Sequence, residues 1–123
     1  MKVLALDYGR ARTGVAVSDP TGELARPLGI VERVRTAEGL GRLADIVAEE
    51  EAELVVVGLP LTLKGERGEQ ARETEAFVDV LRTVLDVPVE TYDERFTSTL
   101  AGGDDAAAAA HLLSGWLHRS RKS

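Results

Sequence analysis

Apolar and β-branched residues fill three short segments at the start of the chain, and turn-forming residues separate these segments. The segments run from Val3 to Asp7, from Thr13 to Ser18 and from Leu24 to Glu32. This pattern predicts three strands in an antiparallel meander, the first two joined by a glycine turn. Because Pro27 has no N–H to donate, the third strand is predicted at a sheet edge or at a bulge.

The apolar spacing changes after Thr36, and from there predicted helices alternate with predicted strands. Apolar residues recur at helical spacing from Leu40 to Val47, with Thr36 as a suitable N-cap. The later elements are a strand at 54–58, a helix at about 69–85, a strand at 88–92 and an alanine-rich helix at 105–117. This order predicts an α/β domain of the RNase H-like kind. Its mixed five-stranded sheet would have three antiparallel strands, then parallel ones, and helices on both faces.

Length and composition limit the classes of protein that remain. The 123 residues suit one domain, and the absence of cysteine excludes disulfides and thiolate metal sites. The first carboxylate, Asp7, comes too early for a signal peptide, and no apolar run approaches the roughly 20 residues that cross a bilayer. A cytoplasmic protein without a membrane partner is expected.

The net charge of −6 argues against nucleic acid as a partner, because phosphate binding usually needs an excess of basic residues. The distribution of the charge modifies this conclusion. Many carboxylates fall on predicted helical surface, whereas basic residues gather in two regions. These are Arg10, Arg12, Lys64, Arg67 and Arg72, and the C-terminal Arg119, Arg121 and Lys122. A local basic surface is therefore compatible with the acidic total.

Carboxylates stand at the ends of three predicted elements. Asp7 ends an apolar strand, where its carboxylate needs a partner. That partner is either a metal ion or the backbone N–H groups of the following turn, which the carboxylate would cap. Glu94 follows the last strand, and because adjacent strand residues point to opposite faces, only one of Asp93 and Glu94 can meet Asp7. Asp105 opens the last helix, a position where acidic residues are also common as caps.

Taken together, the three carboxylates suggest a metal centre. They come from a first strand, a last strand and a C-terminal helix, which an RNase H-like fold brings together. Converging carboxylates can hold two Mg²⁺ or Mn²⁺ ions about 3.5–4 Å apart, which is the arrangement of two-metal phosphodiester hydrolysis.

The chain resembles the YqgF/RuvX family over nearly its whole length. The motifs that carry the resemblance are Leu6-Asp7-Tyr8-Gly9, Arg12-Thr13-Gly14-Val15-Ala16-Val17-Ser18-Asp19, Val57-Gly58-Leu59-Pro60, Asp93-Glu94-Arg95 with Thr97-Ser98-Thr99, and Asp105 before Trp116-Leu117. This family comprises small bacterial RNase H-like proteins described as Holliday junction resolvases and as nucleases of precursor 16S rRNA. The resemblance implies a catalytic and metal-binding triad of Asp7, Glu94 and Asp105. Asp105 is preferred to Asp104 because its spacing to Trp116 fits the family helix.

The resemblance also suggests which basic residues contact phosphate, although each could equally be an exposed or ion-paired side chain. These residues are Arg10, Arg12, Lys64, Arg67 and Arg95. One departure from the family pattern lies between Thr99 and Asp104, where the family carries a further helix and a flexible basic loop. Either the protein has lost this element or the residues are missing from this sequence, and the second interpretation is favoured.

The favoured hypothesis is a Mg²⁺- or Mn²⁺-dependent endonuclease acting on structured nucleic acid, either a four-way DNA junction or precursor 16S rRNA. A resolvase must cut two strands symmetrically, so that activity would call for a homodimer. Two alternatives stay open. One is a non-catalytic binding module of the same fold, and the other is a domain of an actin-like ATPase, whose glycine turn cradles nucleotide phosphates.

Overall fold

The computed structural model describes residues 1–61, 65–93 and 105–122 of the chain. Its elements follow the predicted order of three strands and then alternating helices and strands. They are β1 (Val3–Asp7), β2 (Arg12–Ser18), β3 (Ala25–Glu32), α1 (Ala37–Glu49), β4 (Leu54–Leu59), α2 (Glu69–Val84), β5 (Val89–Asp93) and α3 (Asp105–Lys122). Thr36 caps α1 as expected, because its hydroxyl accepts a hydrogen bond from the Gly39 N–H at 3.1 Å.

The five strands form one mixed sheet in the order β3-β2-β1-β4-β5. The first three strands pair antiparallel, whereas β4 pairs parallel to both β1 and β5. The strand that contains Pro27 lies at the sheet edge, and the register shifts beside it, between Val15 and Ala16 of β2. Both expectations for this proline are confirmed, since an edge and a bulge are where a missing N–H is tolerated.

Helices cover both faces of the sheet, as predicted. One face packs on α1 and α2, with Leu6 and Val57 of the sheet in the same core as Leu43 and Phe77. The other face packs on α3, with Ala5 and Val56 in a second core that includes the following α3 residues: Ala109, Leu112, Leu113 and Leu117. Every residue of β4 is buried, which explains its continuous apolar run.

The ends of two helices differ slightly from the prediction. The second helix, α2, ends at Val84, one residue earlier than expected, and α3 continues to Lys122, five residues beyond its predicted end. The apolar periodicity stops at Leu117, but a helix can continue through exposed residues such as His118 and Arg119. No helix within the described ranges is long and apolar enough to cross a membrane.

Candidate active site

Asp7 ends β1 and lies on the side of the sheet covered by α3. The alternation along the strand establishes this position: Ala5 belongs to the core under α3, whereas Leu6 belongs to the opposite core. The next residue, Tyr8, turns to the opposite side and stacks on Phe77 of α2, with 4.6 Å between ring centroids. Packing of Tyr8 therefore anchors the chain directly after Asp7 and keeps the carboxylate on the α3 side.

Gly14 brings the last helix against this carboxylate. It pairs with Asp7 across the β1–β2 hairpin and lies on the same face of the sheet. The backbone of Asp105, the first residue of α3, passes so close that a Cβ on Gly14 would overlap the Asp105 carbonyl oxygen. The missing side chain is therefore what allows α3 to begin beside Asp7.

The Asp7 carboxylate is affected both by its burial and by the neighbouring charge of Asp105. Burial, and to a smaller extent the negative charge of Asp105, together raise the pKa of Asp7 from 3.8 to about 6. Within the described ranges, the Asp7 carboxylate has neither a hydrogen-bond nor an ion-pair partner. A capped turn was one expectation for this residue, but no capping hydrogen bond to it occurs among those residues. A half-buried carboxylate that lacks such partners is suited to bind a cation.

Three of the five predicted phosphate contacts are exposed arginines that form ion pairs. Arg10 pairs with Glu73, Arg67 pairs with Glu75 at 3.2 Å, and the Nε of Arg12 lies 3.3 Å from Oδ2 of Asp105. Ion pairs whose arginine is mostly exposed contribute little to stability, so each arginine can leave its partner at little cost.

The remaining predicted site residues lie outside the described part of the chain. These are Glu94, Lys64 and Arg95. The neighbour of Glu94 is informative, because Asp93 pairs with Leu59 at the end of β5. One residue earlier, Tyr92 packs in the core under α3, so Asp93 points to the opposite side of the sheet from Asp7. Asp93 is thereby excluded as the partner of Asp7.

Among the described residues, no group of three carboxylate or histidine side chains could hold a metal ion. The structure thus brings together two members of the predicted triad, Asp7 and Asp105. Sequence reasoning missed the part played by Gly14, although a glycine inside a β-branched strand is a signal of close backbone approach. It also missed the pairing of Arg12 with Asp105, for which the sequence contains no local signal.

Comparison with known proteins identifies the family. The family model of RuvX, described as a Holliday junction resolvase, matches residues 1–103. The chain belongs to the RuvX family. A relative from Chloroflexus aggregans, assigned as a pre-16S rRNA nuclease, is 46% identical over 99 residues, which cover 80% of this chain and 70% of the relative. A relative from Anaeromyxobacter sp. with the same assignment is 41% identical, with 95% of this chain and 96% of the relative covered.

Two proteins whose structures were solved with Holliday junctions have the same fold as this RuvX-family chain. RuvC of T. thermophilus, solved with a Holliday junction substrate, superposes with a TM-score of 0.64 at 16% identity, covering 98% of this chain and 96% of RuvC. The Fowlpox virus resolvase, solved with Holliday junction DNA, gives 0.60 at 12% identity, covering 98% and 99% of the two chains. The predicted RNase H-like fold is confirmed, and the family relationship supports a nuclease function.

Proposed function

We propose that this chain is a divalent-metal-dependent endonuclease that hydrolyses phosphodiester bonds in structured nucleic acid. Asp7, Glu94 and Asp105 would serve as catalytic residues and as ligands of Mg²⁺ or Mn²⁺, held as a pair of ions. The observation that carries the proposal is the half-buried, unpartnered Asp7 carboxylate beside Asp105 in the described part of the chain. Two carboxylates in such an environment repel each other when ionised, and a bound cation relieves that repulsion.

The topology supports Glu94 as the third ligand. Strands β1, β4 and β5 run parallel, so their carboxyl ends meet at one edge of the sheet. Asp7 ends β1 at that edge, and Glu94 is the first residue after β5. Since Asp93 points away from Asp7, strand alternation favours Glu94 as the residue that approaches from β5.

The donor set fits a hard cation. Carboxylate oxygens are the protein ligands that Mg²⁺ and Mn²⁺ prefer, and the described site contains no sulfur or imidazole donor beside Asp7 and Asp105. The chemistry that such cations supply when bound is activation of an attacking water and stabilisation of the leaving oxygen. The chain itself orients the ligands: the sheet holds Asp7, and the close contact of Gly14 with α3 holds Asp105 beside it.

The named relatives suggest two substrate classes, precursor 16S rRNA and four-way DNA junctions. Either substrate is polyanionic, so this acidic chain needs local cations around the site. The arginines at positions 10, 12, 67 and 95, together with Lys64, are proposed for this contact. Symmetric cutting of a junction would call for a homodimer, whereas processing of an RNA would not.

The chain is proposed to fold as one domain from residue 1 to residue 123, with a family segment missing near residues 100–104. The alignment with the Anaeromyxobacter relative runs over 133 positions, more than the 123 residues of this chain, so the relative has residues that this chain lacks. A missing basic loop would weaken substrate binding more than it would disturb Asp7 and Asp105.

A cleavage assay with both substrate classes tests the proposed function. The full chain is incubated with Mn²⁺ or Mg²⁺ and either a synthetic four-way junction or a precursor 16S rRNA fragment. We expect metal-dependent cutting of one of them, and we expect Glu94→Gln to reduce the rate by roughly a hundredfold or more, because a ligand carboxylate is lost.

Asp45→Asn serves as the matched control, since it removes one negative charge from an exposed position on α1. This variant should cut at the rate of the unsubstituted chain. If a folded protein cuts neither substrate but still binds one of them, the binding-module alternative replaces the nuclease.

A further inference from the structure

Arg12 lies at the rim of the candidate site. It is the first residue of β2 and shares a face of that strand with Gly14 and Ala16, toward α3. From there its Nε reaches Oδ2 of Asp105 at 3.3 Å. Within residues 1–61, 65–93 and 105–120, no other cation forms an ion pair with Asp7 or Asp105. In this part of the chain, Arg12 is thus the counter-ion of the site.

Arg10, two residues earlier, provides a contrast. It pairs with Glu73 of α2, which packs on the opposite face of the sheet from α3. The Glu73 carboxylate raises the pKa of the Arg10 guanidinium above its usual value through a hydrogen bond and its charge. Two neighbouring arginines of one hairpin therefore neutralise carboxylates on two different faces, and only one of these carboxylates belongs to the candidate site.

A guanidinium and a metal ion compete for the same carboxylate. Both are positive, so their repulsion at a separation of a few ångströms opposes simultaneous binding to Asp105. The Arg12 side chain is 57% exposed, which leaves it room to rotate away at little cost. Once free, its planar set of N–H donors matches the oxygens of a phosphate group.

We propose that Arg12 is a positioning residue that holds Asp105 in the metal-free protein. It releases Asp105 when the metal ion binds, and its guanidinium then contacts a phosphate oxygen of the nucleic acid. This inference rests on the proposed metal-dependent nuclease function. It makes metal binding and substrate binding interdependent, because release of Asp105 is what makes the guanidinium available to the phosphate.

Titration calorimetry of Mn²⁺ into the metal-free full chain, without nucleic acid, tests the competition directly. We expect Arg12→Gln to bind Mn²⁺ about fivefold more tightly than the unsubstituted chain, because the competing cation is gone. Arg10→Gln is the matched control, since it removes the same charge from the same hairpin but leaves Asp105 paired. Its Mn²⁺ affinity should stay within roughly twofold of the unsubstituted chain.

Cleavage at saturating Mn²⁺ provides the second measurement. There we expect Arg12→Gln to be about tenfold slower despite its tighter metal binding, and Arg12→Lys to recover part of the loss because it keeps a cation. Equal or weaker Mn²⁺ binding by Arg12→Gln relative to Arg10→Gln would overturn the inference while leaving the nuclease intact. An unsubstituted chain that binds no Mn²⁺ would overturn the metal-dependent nuclease and this inference together.

Discussion

Asp7→Asn is expected to lose nucleic-acid cleavage almost completely, by roughly a thousandfold or more. The substitution keeps the shape of the side chain but removes the negative charge that would hold the metal ion. Stabilisation by a bound cation amounts to several kcal/mol in the transition state, and each 1.4 kcal/mol is about tenfold in rate. The measurement is the initial rate of cutting in saturating Mn²⁺, with Asp45→Asn as the matched control.

The same variant should be more stable than the unsubstituted chain in metal-free buffer at neutral pH. The pKa of Asp7 is raised to about 6 in the folded protein, above its ordinary 3.8, so folding favours the protonated form. Protonated Asp7 contributes fully to the stability of the folded protein below pH 3.8, and this contribution is lost as the pH rises through 6. In the unsubstituted chain, the cost of keeping a charged carboxylate in this buried position therefore develops between pH 3.8 and pH 6. Allowing for partial exposure, it reaches about 1–2 kcal/mol above pH 7.

Urea unfolding of both proteins at pH 4 and pH 8 with a chelator measures this difference. We expect the two free energies of unfolding to be similar at pH 4 and the variant to be the more stable at pH 8. If Asp7→Asn cut nucleic acid at the full rate, Asp7 would not belong to the catalytic site. A variant with no stability advantage at pH 8 would mean that the Asp7 carboxylate is better solvated than its burial indicates.

Gly14→Ala is expected to reduce cleavage by about a hundredfold without changing any ionisable group. The added methyl group would overlap the Asp105 carbonyl oxygen, so the start of α3 must move away from β2. A ligand displaced by about 1 Å can reduce a rate by this factor, because the reacting groups lose their alignment. The same overlap should destabilise the fold by roughly 1–3 kcal/mol.

Gly41→Ala is the matched control for this substitution. Gly41 lies within α1, where an added Cβ meets nothing within 4 Å. Alanine there should stabilise the protein by about 0.5–1 kcal/mol and leave cleavage unchanged. The comparison uses thermal unfolding and the cleavage rate of folded protein. Gly14→Ala with unchanged cleavage would show that α3 can shift without disturbing the site.

The fold could be predicted because most of its elements have a strong local signal. The uninterrupted apolar run of β4 reflects burial on both faces, and the proline in β3 correctly indicated an edge and a bulge. The far end of α3 was harder to predict, since helical hydrogen bonding can continue through polar residues that leave no apolar periodicity.

The candidate site was only partly predictable, for a related reason. The position of Asp7 at a strand end follows from local sequence. Its raised pKa, and the lack of a partner for its carboxylate among the described residues, depend on which side chains surround it. The pairing of Arg12 with Asp105 joins residues far apart in the chain, and nothing in the local sequence of either one indicates it. Glu94 stays a prediction, supported by the direction in which Asp93 points.

The sequence by itself determined the element order, the RNase H-like architecture, the family and the three carboxylates expected to act together. These properties depend on periodicity and motifs that are readable along the chain. Only the tertiary structure decided three features of the site. Gly14 allows α3 to begin beside Asp7, Asp93 points to the side of the sheet opposite Asp7, and Arg12 forms an ion pair with Asp105. Such facts depend on distances across the sheet, which packing fixes and sequence spacing does not.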